Sequence, residues 1–259
     1  IYLSMYPTVI TGLGRRKPAV TEAIVDAVNN GTLILNYIGH GNPNVWAHEY
    51  VFERTTTIPL FNNNRYFFLT AATCDFGKYD DPVTQSSTED MLVLPNSGMI
   101  AGFSAVRPVV STENAALNNM YYSYLFEEQA DGLTNPTGRA YYQTKQQKTN
   151  DNAEKFHFFG DPYLRLSRPN TPVEIDSING NSSVNITQLK ALSKSRIVGH
   201  VYDNNGNINN NFNGEGIITV FDSKRTMYLS DINYNINLQG GVIFRGRVTI
   251  NNGKFDTEF

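Results

Sequence analysis

An α/β sandwich with a mostly parallel sheet, followed by an all-β sandwich, is the fold class this sequence predicts. Three observations predict it. Residues TLILNYI (32–38), RYFFLTAA (65–72) and GMIAGFS (98–104) are continuous apolar runs, the pattern of strands buried on both faces of a sheet. Helical patterns lie between and around them, as parallel sheets require. Beyond RPNTP (168–172), short β-like runs alternate with Asn/Gly-rich turns, the pattern of an antiparallel sandwich. The expected domains are 1–170 and a β domain at 171–259, incomplete at its C-terminal end.

Composition fits this reading and excludes others. The 259 residues are 40% hydrophobic and 12% aromatic, enough for one sizeable core and a smaller satellite. Only 17% are charged and the net charge is −3, which argues against disorder and against a binder that works by neutralising phosphates. No apolar run reaches the roughly 18 residues of a spanning helix. A single cysteine, Cys74, cannot form an internal disulfide; such a cysteine is either packed or used as a nucleophile. The chain opens at Ile1 and closes in the strand-like GKFDTEF, so it is expected to be a piece of a longer protein.

Each element has its own signals. GLGRRK (12–17) holds a G-x-G without the third glycine and is expected to be a loop with Arg15 to Lys17 solvated. Residues 18–30 place Val20, Ile24, Ala27 and Val28 on one helical face, with Pro18 in the first turn and Gly31 at the stop. Ser86 and Glu89 have capping-box spacing at the head of a helix over 86–94. In 113–128, Leu117, Met120, Tyr121, Tyr124 and Leu125 form a stripe, and 136–148 is a further helix. In the second half, RIVGHVYD (196–203), GIITVFD (216–222) and VIFRGRVTI (242–250) read as strands. DNNGN (203–207) misses the spacing of a calcium loop and reads as a hairpin turn.

Chemistry is expected at strand ends. TLILNYI runs into Gly39-His40-Gly41, and RYFFLTAA into Thr73-Cys74-Asp75. Open α/β sheets bind ligands outside the carboxyl ends of their strands, so His40 and Cys74 would share one edge. An imidazole beside a thiol makes a nucleophile: the ring takes the proton and the thiolate attacks a carbonyl. The N–H groups of Gly41 and Cys74 are the natural oxyanion donors. Taken singly, Cys74 reads as a packed residue and His40 as a polar turn residue; their joint occurrence at two strand ends favours catalysis. Trp46 reads either as a wall of the substrate cleft or as a packing lid, and Asp75 lies beside the same cleft. Asp75, Asp80 and Asp81 read as loop capping, or as a salt bridge with Arg107. His48-Glu49 begins an H-E-x-x-H motif that fails at Phe52, so no metal site is expected. His157 and His200 read as structural.

These motifs carry a resemblance. NYIGHGNPNVWAHE (36–49) resembles the histidine motif of the gingipain-type cysteine peptidases, which share the caspase-like fold. TAATCDFGKYDDP (70–82) resembles their cysteine motif, TEDMLVLPNSGMIAGFSAVRPVVS (88–111) the helix and strand that follow, and FHFFGDPYLRLSRP (156–169) the closing strand. The blocks cover roughly 1–170. The CDFGKYDDP form, the FGDPYLRL ending and a following β domain are most similar to the sortases, or C-terminal signal peptidases, of the bacterial type IX secretion system.

The resemblance implies a caspase-like α/β sandwich followed by an immunoglobulin-like domain. It implies that His40 is the general base and Cys74 the nucleophile of an acyl-enzyme. The implied partners are the C-terminal sorting domains of secreted cargo, a lipopolysaccharide amine as acyl acceptor, and an outer-membrane shuttle protein, all at the cell surface. No cofactor is implied for the chemistry; gingipain relatives bind calcium, and the oxygens of Asp75, Asp80 and Asp81 are of the kind that hard cation takes. An acidic residue that orients the histidine is expected upstream of this chain. Two other functions fit the same motifs: a secreted gingipain-like endopeptidase, and an inactive structural subunit of an outer-membrane attachment complex.

Overall fold

The structure is a computed structural model that describes residues 1–62, 64–169, 171–182, 188–189, 193–203, 205–230 and 233–259. Asn170 of the expected linker and Asn204 of the expected hairpin turn lie outside the described residues. The chain divides into two compact units, Ile1–Arg168 and Pro169–Phe259.

The first unit opens with a hairpin, β1 (Val9–Thr11) and β2 (Gly14–Arg16), where a plain loop is expected. Each strand has three residues and no buried face, so no periodicity announces it. Lys17 corrects a second expectation. It is 9% exposed, because its ammonium donates to the Tyr6 carbonyl. Helix α1 (Pro18–Asn30) follows, ending at Gly31 with φ +96°, a conformation that glycine adopts without a Cβ penalty. Val20, Ile24 and Val28 are buried on it, whereas Ala27 is exposed.

Next come β3 (Ile34–Ile38), the short pair β4 (Val45–Trp46) and β5 (Phe52–Glu53), and the helical turn α2 (Arg54–Thr57). Strand β6 (Phe67–Ala72) is buried at every position. Helix α3 (Ser87–Val93) starts at the Ser86/Glu89 capping box, and strand β7 (Met99–Ala105) follows. Helices α4 (Ser111–Leu125), α5 (Thr137–Gln147) and α6 (Asp151–Glu154) precede β8 (Phe156–Gly160).

The four long strands form one sheet in the order β3-β6-β7-β8. β3 pairs parallel with β6 and β6 with β7, while β8 returns antiparallel. Alternate residues of β6 feed two cores. Phe67, Leu69 and Ala71 pack with α1, Trp46, Phe52 and Phe76 on one face. Phe68 and Ala72 pack with Phe103, Leu117, Tyr121 and Leu125 on the other. The sheet is therefore the middle layer of an α/β sandwich. Two core layers explain why β6 reads as an unbroken apolar run rather than an alternating one.

The second unit is all-β. Its strands are β9 (Val173–Ile178), β10 (Asn181–Ser182), β11 (Arg196–Val201), β12 (Gly214–Phe221), β13 (Arg225–Leu229), β14 (Tyr234–Leu238), β15 (Val242–Ile250) and β16 (Lys254–Glu258). Every pairing among the described strands of this unit is antiparallel. One sheet runs β10-β9-β11-β16, beside the pairs β12-β15 and β13-β14. Ile197, Val201, Val248, Ile250 and Phe255 form one buried cluster, and Leu229, Ile236 and Leu238 a second.

Candidate active site

Parallel pairing brings the two motif ends together. The last registered partners of β3 and β6 are Ile38 and Ala72. His40 and Cys74 each lie two residues beyond that rung, so both leave the sheet at the same level and the same edge. The two loops then touch. Gly39 N–H donates to the Ala72 carbonyl at 3.5 Å. A Cβ on Gly41 would lie 2.6 Å from Thr73 Oγ1. Only a residue without a side chain lets the histidine loop lie this close to the residue before the cysteine.

The histidine loop is tied down by its backbone. Ala47 N–H donates to the His40 carbonyl at 2.8 Å, and Asn42 N–H to the Val45 carbonyl at 3.1 Å. The Tyr37 hydroxyl also donates to the His40 carbonyl, at 2.8 Å. Burial pushes the Tyr37 hydroxyl up to about 12, so it stays a donor throughout the physiological range. Its ring stacks on Trp46 with centroids 4.4 Å apart and planes 8° from parallel. The His40 ring is exposed and lies 5.4 Å from the His48 ring.

Trp46 is 1% exposed and packs against Phe52 and Phe76 as well as Tyr37. That burial corrects the reading of Trp46 as an open cleft wall and favours the packing lid. Its effect on the site passes through Tyr37 and the His40 carbonyl.

Cys74 is half-buried in a turn directly after β6. Its sulfur meets the loop after β7: Val109 N–H donates to Sγ at 3.4 Å, and the thiol faces the Val109 carbonyl at 3.7 Å. Asp75 takes φ +59°, a left-handed conformation that Asp and Asn tolerate better than most side chains. Its N–H donates to the Arg107 carbonyl at 3.4 Å, and Gly77 N–H to the Ala105 carbonyl at 2.8 Å. The cysteine turn is thereby laced to the end of β7. Among the described residues, neither Gly41 N–H nor Cys74 N–H has a hydrogen-bond partner.

The acidic residues beyond the cysteine are engaged. Arg107 forms a two-bond pair with Asp80 and holds its carboxyl below the usual range. Asp81 accepts from Val83 N–H, the Lys78 ammonium and Thr84 N–H, and is likewise lowered. Among the described residues no three His, Cys, Asp or Glu side chains converge as metal ligands. His48 is exposed, and its neighbour Glu49 pairs with Arg15 at 3.6 Å.

Sequence reasoning missed three residues behind the site: Asn114, Asn118 and Asn152, all at most 4% exposed. Asn114 and Asn118 fall on the buried side of α4, beside Leu117 and Tyr121. Their signal was their position within that apolar stripe.

Residues 1–167 match the model of Peptidase family C25. The chain belongs to that family. Similar solved structures include dimeric latent PorU from Porphyromonas gingivalis, 27% identical, with 63% of this chain and 16% of that chain covered and a TM-score of 0.36. They also include the Arg-specific cysteine proteinase gingipain R, 17% identical, with 91% of this chain and 48% of that chain covered and a TM-score of 0.49. A third is the complex of Porphyromonas gingivalis RgpB pro- and mature domains, 18% identical, covering 91% and 49%, with a TM-score of 0.47. The family C25 chain thus spans less than half the length of each of these three. Among curated proteins none matches it. No helix among its described residues is long and apolar enough to cross a membrane.

Proposed function

We propose that this family C25 chain carries the His–Cys centre of a type IX secretion sortase of the PorU kind, a cysteine peptidase/transpeptidase. One observation carries the chemistry: the parallel register that ends at Ile38 and Ala72, leaving Gly39-His40-Gly41 and Thr73-Cys74 side by side. The finer assignment rests on the resemblance of CDFGKYDDP and FGDPYLRL to such sortases.

In this reading His40 takes the Cys74 thiol proton, and the thiolate attacks the scissile carbonyl carbon of a cargo's C-terminal sorting domain. Negative charge gathers on the carbonyl oxygen, which the Gly41 and Cys74 N–H groups receive. The C–N bond breaks, the leaving amine takes the proton from the imidazolium, and a thioester remains. Water or a lipopolysaccharide amine resolves the thioester and returns the thiol. An acid in the upstream part of the enzyme orients the His40 ring. The enzyme works at the cell surface, in the outer membrane's company, with a shuttle protein of the PorV type. The second unit is an immunoglobulin-like domain in this reading.

The test uses the full-length enzyme. Cys74→Ala and His40→Ala each abolish removal of the cargo's C-terminal signal, read as a mass shift of the cargo. Unchanged processing by either variant overturns the assignment. Free cleavage of unrelated peptides after basic residues overturns the sortase role and supports an endopeptidase.

A further inference from the structure

The chain doubles back on itself immediately after His40. Gly41 and Trp46 face each other in an antiparallel bridge. The Asn42 side-chain oxygen closes the turn between them, accepting from Asn44 N–H at 2.8 Å and from Val45 N–H at 3.1 Å. A second, tighter turn follows. Val51 N–H donates to the Trp46 carbonyl at 3.1 Å, and Tyr50 N–H to the Ala47 carbonyl at 3.2 Å. Ala47 and Tyr50 take φ +60° and +54°, left-handed values that a Cβ disfavours. Neither is a glycine, so the surroundings of the turn hold it in place against local preference. Between the two lie His48 and Glu49.

Those surroundings include the β1–β2 hairpin. Arg15 pairs with Glu49 at 3.6 Å, and the Arg16 guanidinium lies 3.9 Å from the centre of the Tyr50 ring. The two arginines of GLGRRK, expected from the sequence to be solvated, thus grip the two residues that follow His48. One exposed pair is weak; two on successive residues hold the end of the turn. What the turn presents is the His48 ring, 5.4 Å from the His40 ring and tilted 46° to it. Among the described residues the His40 imidazole has no hydrogen bond, and its ring contact is with His48.

We propose that His48 is a positioning residue whose ring restricts the His40 imidazole to one rotamer, with the Arg15–Arg16 strand bracing His48 in place. The proposal rests on the reading of His40 as the base that serves Cys74. An exposed side chain on a loop samples about three staggered χ1 wells. A general base works from one of them, because its nitrogen must lie within hydrogen-bond reach of the proton it takes. A neighbouring ring on a braced turn removes wells by steric contact. This stop lies within the chain itself, and it acts in addition to the upstream acid, which orients the ring by hydrogen bonding.

The rotamer can be read without any cleavage. On histidine-labelled protein of this chain, NMR measures the three-bond couplings from the His40 backbone nitrogen and carbonyl carbon to its Cγ. The parent gives the values of a single χ1 well, and His48→Ala gives averaged ones. His48→Phe keeps a ring, loses both nitrogens and retains the parental values. The double variant Arg15→Ala/Arg16→Ala averages them although His48 is present. His48 and Arg15 are exposed, and a thermal melt checks each variant for folding. In the full-length enzyme, His48→Ala lowers kcat for cargo processing about threefold, the dilution of one well among three, and leaves KM unchanged; His48→Phe restores kcat. Averaged couplings in the parent or in His48→Phe, or parental couplings in His48→Ala, overturn the proposal. So does a parental kcat in a His48→Ala enzyme whose couplings are averaged. Parental couplings in the arginine double variant overturn the brace. If no variant folds, the couplings of the parent decide. These failures leave the base reading standing, because cargo processing by His40→Ala judges that separately.

Discussion

Substituting Gly41 by alanine tests the contact between the two motif loops. The added Cβ lies 2.6 Å from Thr73 Oγ1 and 2.6 Å from the Val45 carbonyl oxygen. Each contact is about 0.9 Å short of the roughly 3.5 Å of an unstrained pair. Neither neighbour is the loose end of a long side chain. Val45 O is backbone that already holds Asn42 N–H, and Thr73 Oγ1 is fully buried. The loops must separate. Overpacking of this kind costs about 1–3 kcal/mol, which lowers the melting temperature of a unit this size by about 2–12 °C. A displacement approaching 1 Å between reacting groups costs a factor on the order of 100 in rate.

Under the proposed function the assay is removal of a cargo's C-terminal signal by the full-length protein, with a thermal melt of the same variant. Gly12→Ala is the control, because nothing lies within 4 Å of its added Cβ. A Gly41→Ala enzyme that processes cargo at the parental rate and melts with Gly12→Ala refutes the idea that close approach of the loops sets the site.

Other substitutions separate the remaining parts. Tyr37→Phe removes the hydroxyl that donates to the His40 carbonyl; it lowers stability by about 0.5–1.5 kcal/mol in urea titration and slows cargo processing. Ser86→Ala deletes the capping box of α3 and costs about 1 kcal/mol in the same measurement. Burial, aided by Lys145 and Arg107, holds His157 below its ordinary 6.5. The unfolded chain therefore binds more protons below that pH, and stability falls as pH drops through it; His157→Asn flattens the slope in denaturation curves taken between about pH 5 and pH 7.5. Arg107→Gln lets the Asp80 carboxyl rise toward 3.8, read by NMR titration. The part of stability owed to that pair is present above 3.8 and lost as pH falls through the folded value.

What the sequence makes visible follows from burial. β6 and β7 are covered on both faces, so their apolar runs mark them, and the residues that follow the β3 and β6 runs mark the site. α1 and α3 are visible through Pro18, Gly31 and the Ser86/Glu89 pair, which are local chemistry. The β1–β2 hairpin is invisible because all its residues but Arg16 are exposed. β9 is invisible because four of its six residues are exposed, which erases the alternation. The burial of Lys17 and Trp46 depends on partners distant in sequence or geometry: the Tyr6 carbonyl for one, the ring of Tyr37 for the other. Asn114 and Asn118 of α4 are buried while Asn119 is exposed, so residue type alone does not separate them; their position relative to Leu117 and Tyr121 does.

Apolar residues of similar volume at Asn114, Asn118 and Asn152 would bury more apolar area but leave the partners of the amides unpaired, among them the Val110 N–H. The amides also specify geometry. Val110 N–H donates to Asn152 Oδ1, Asn152 Nδ2 to Asn114 Oδ1 and Asn114 Nδ2 to the Ala72 carbonyl, so α4 cannot slide on the sheet without breaking one of these bonds. A hydrophobic contact tolerates such a shift and an amide relay does not. The Ala72 carbonyl is where this matters, since it takes Asn114 Nδ2 from one side and Gly39 N–H from the other. A slip of α4 is thereby transmitted to both the histidine and the cysteine loops. The buried amides pin that joint, and Asn152→Leu, which leaves the Val110 N–H without its acceptor, lowers stability by about 1–3 kcal/mol in urea titration; an unchanged midpoint refutes this.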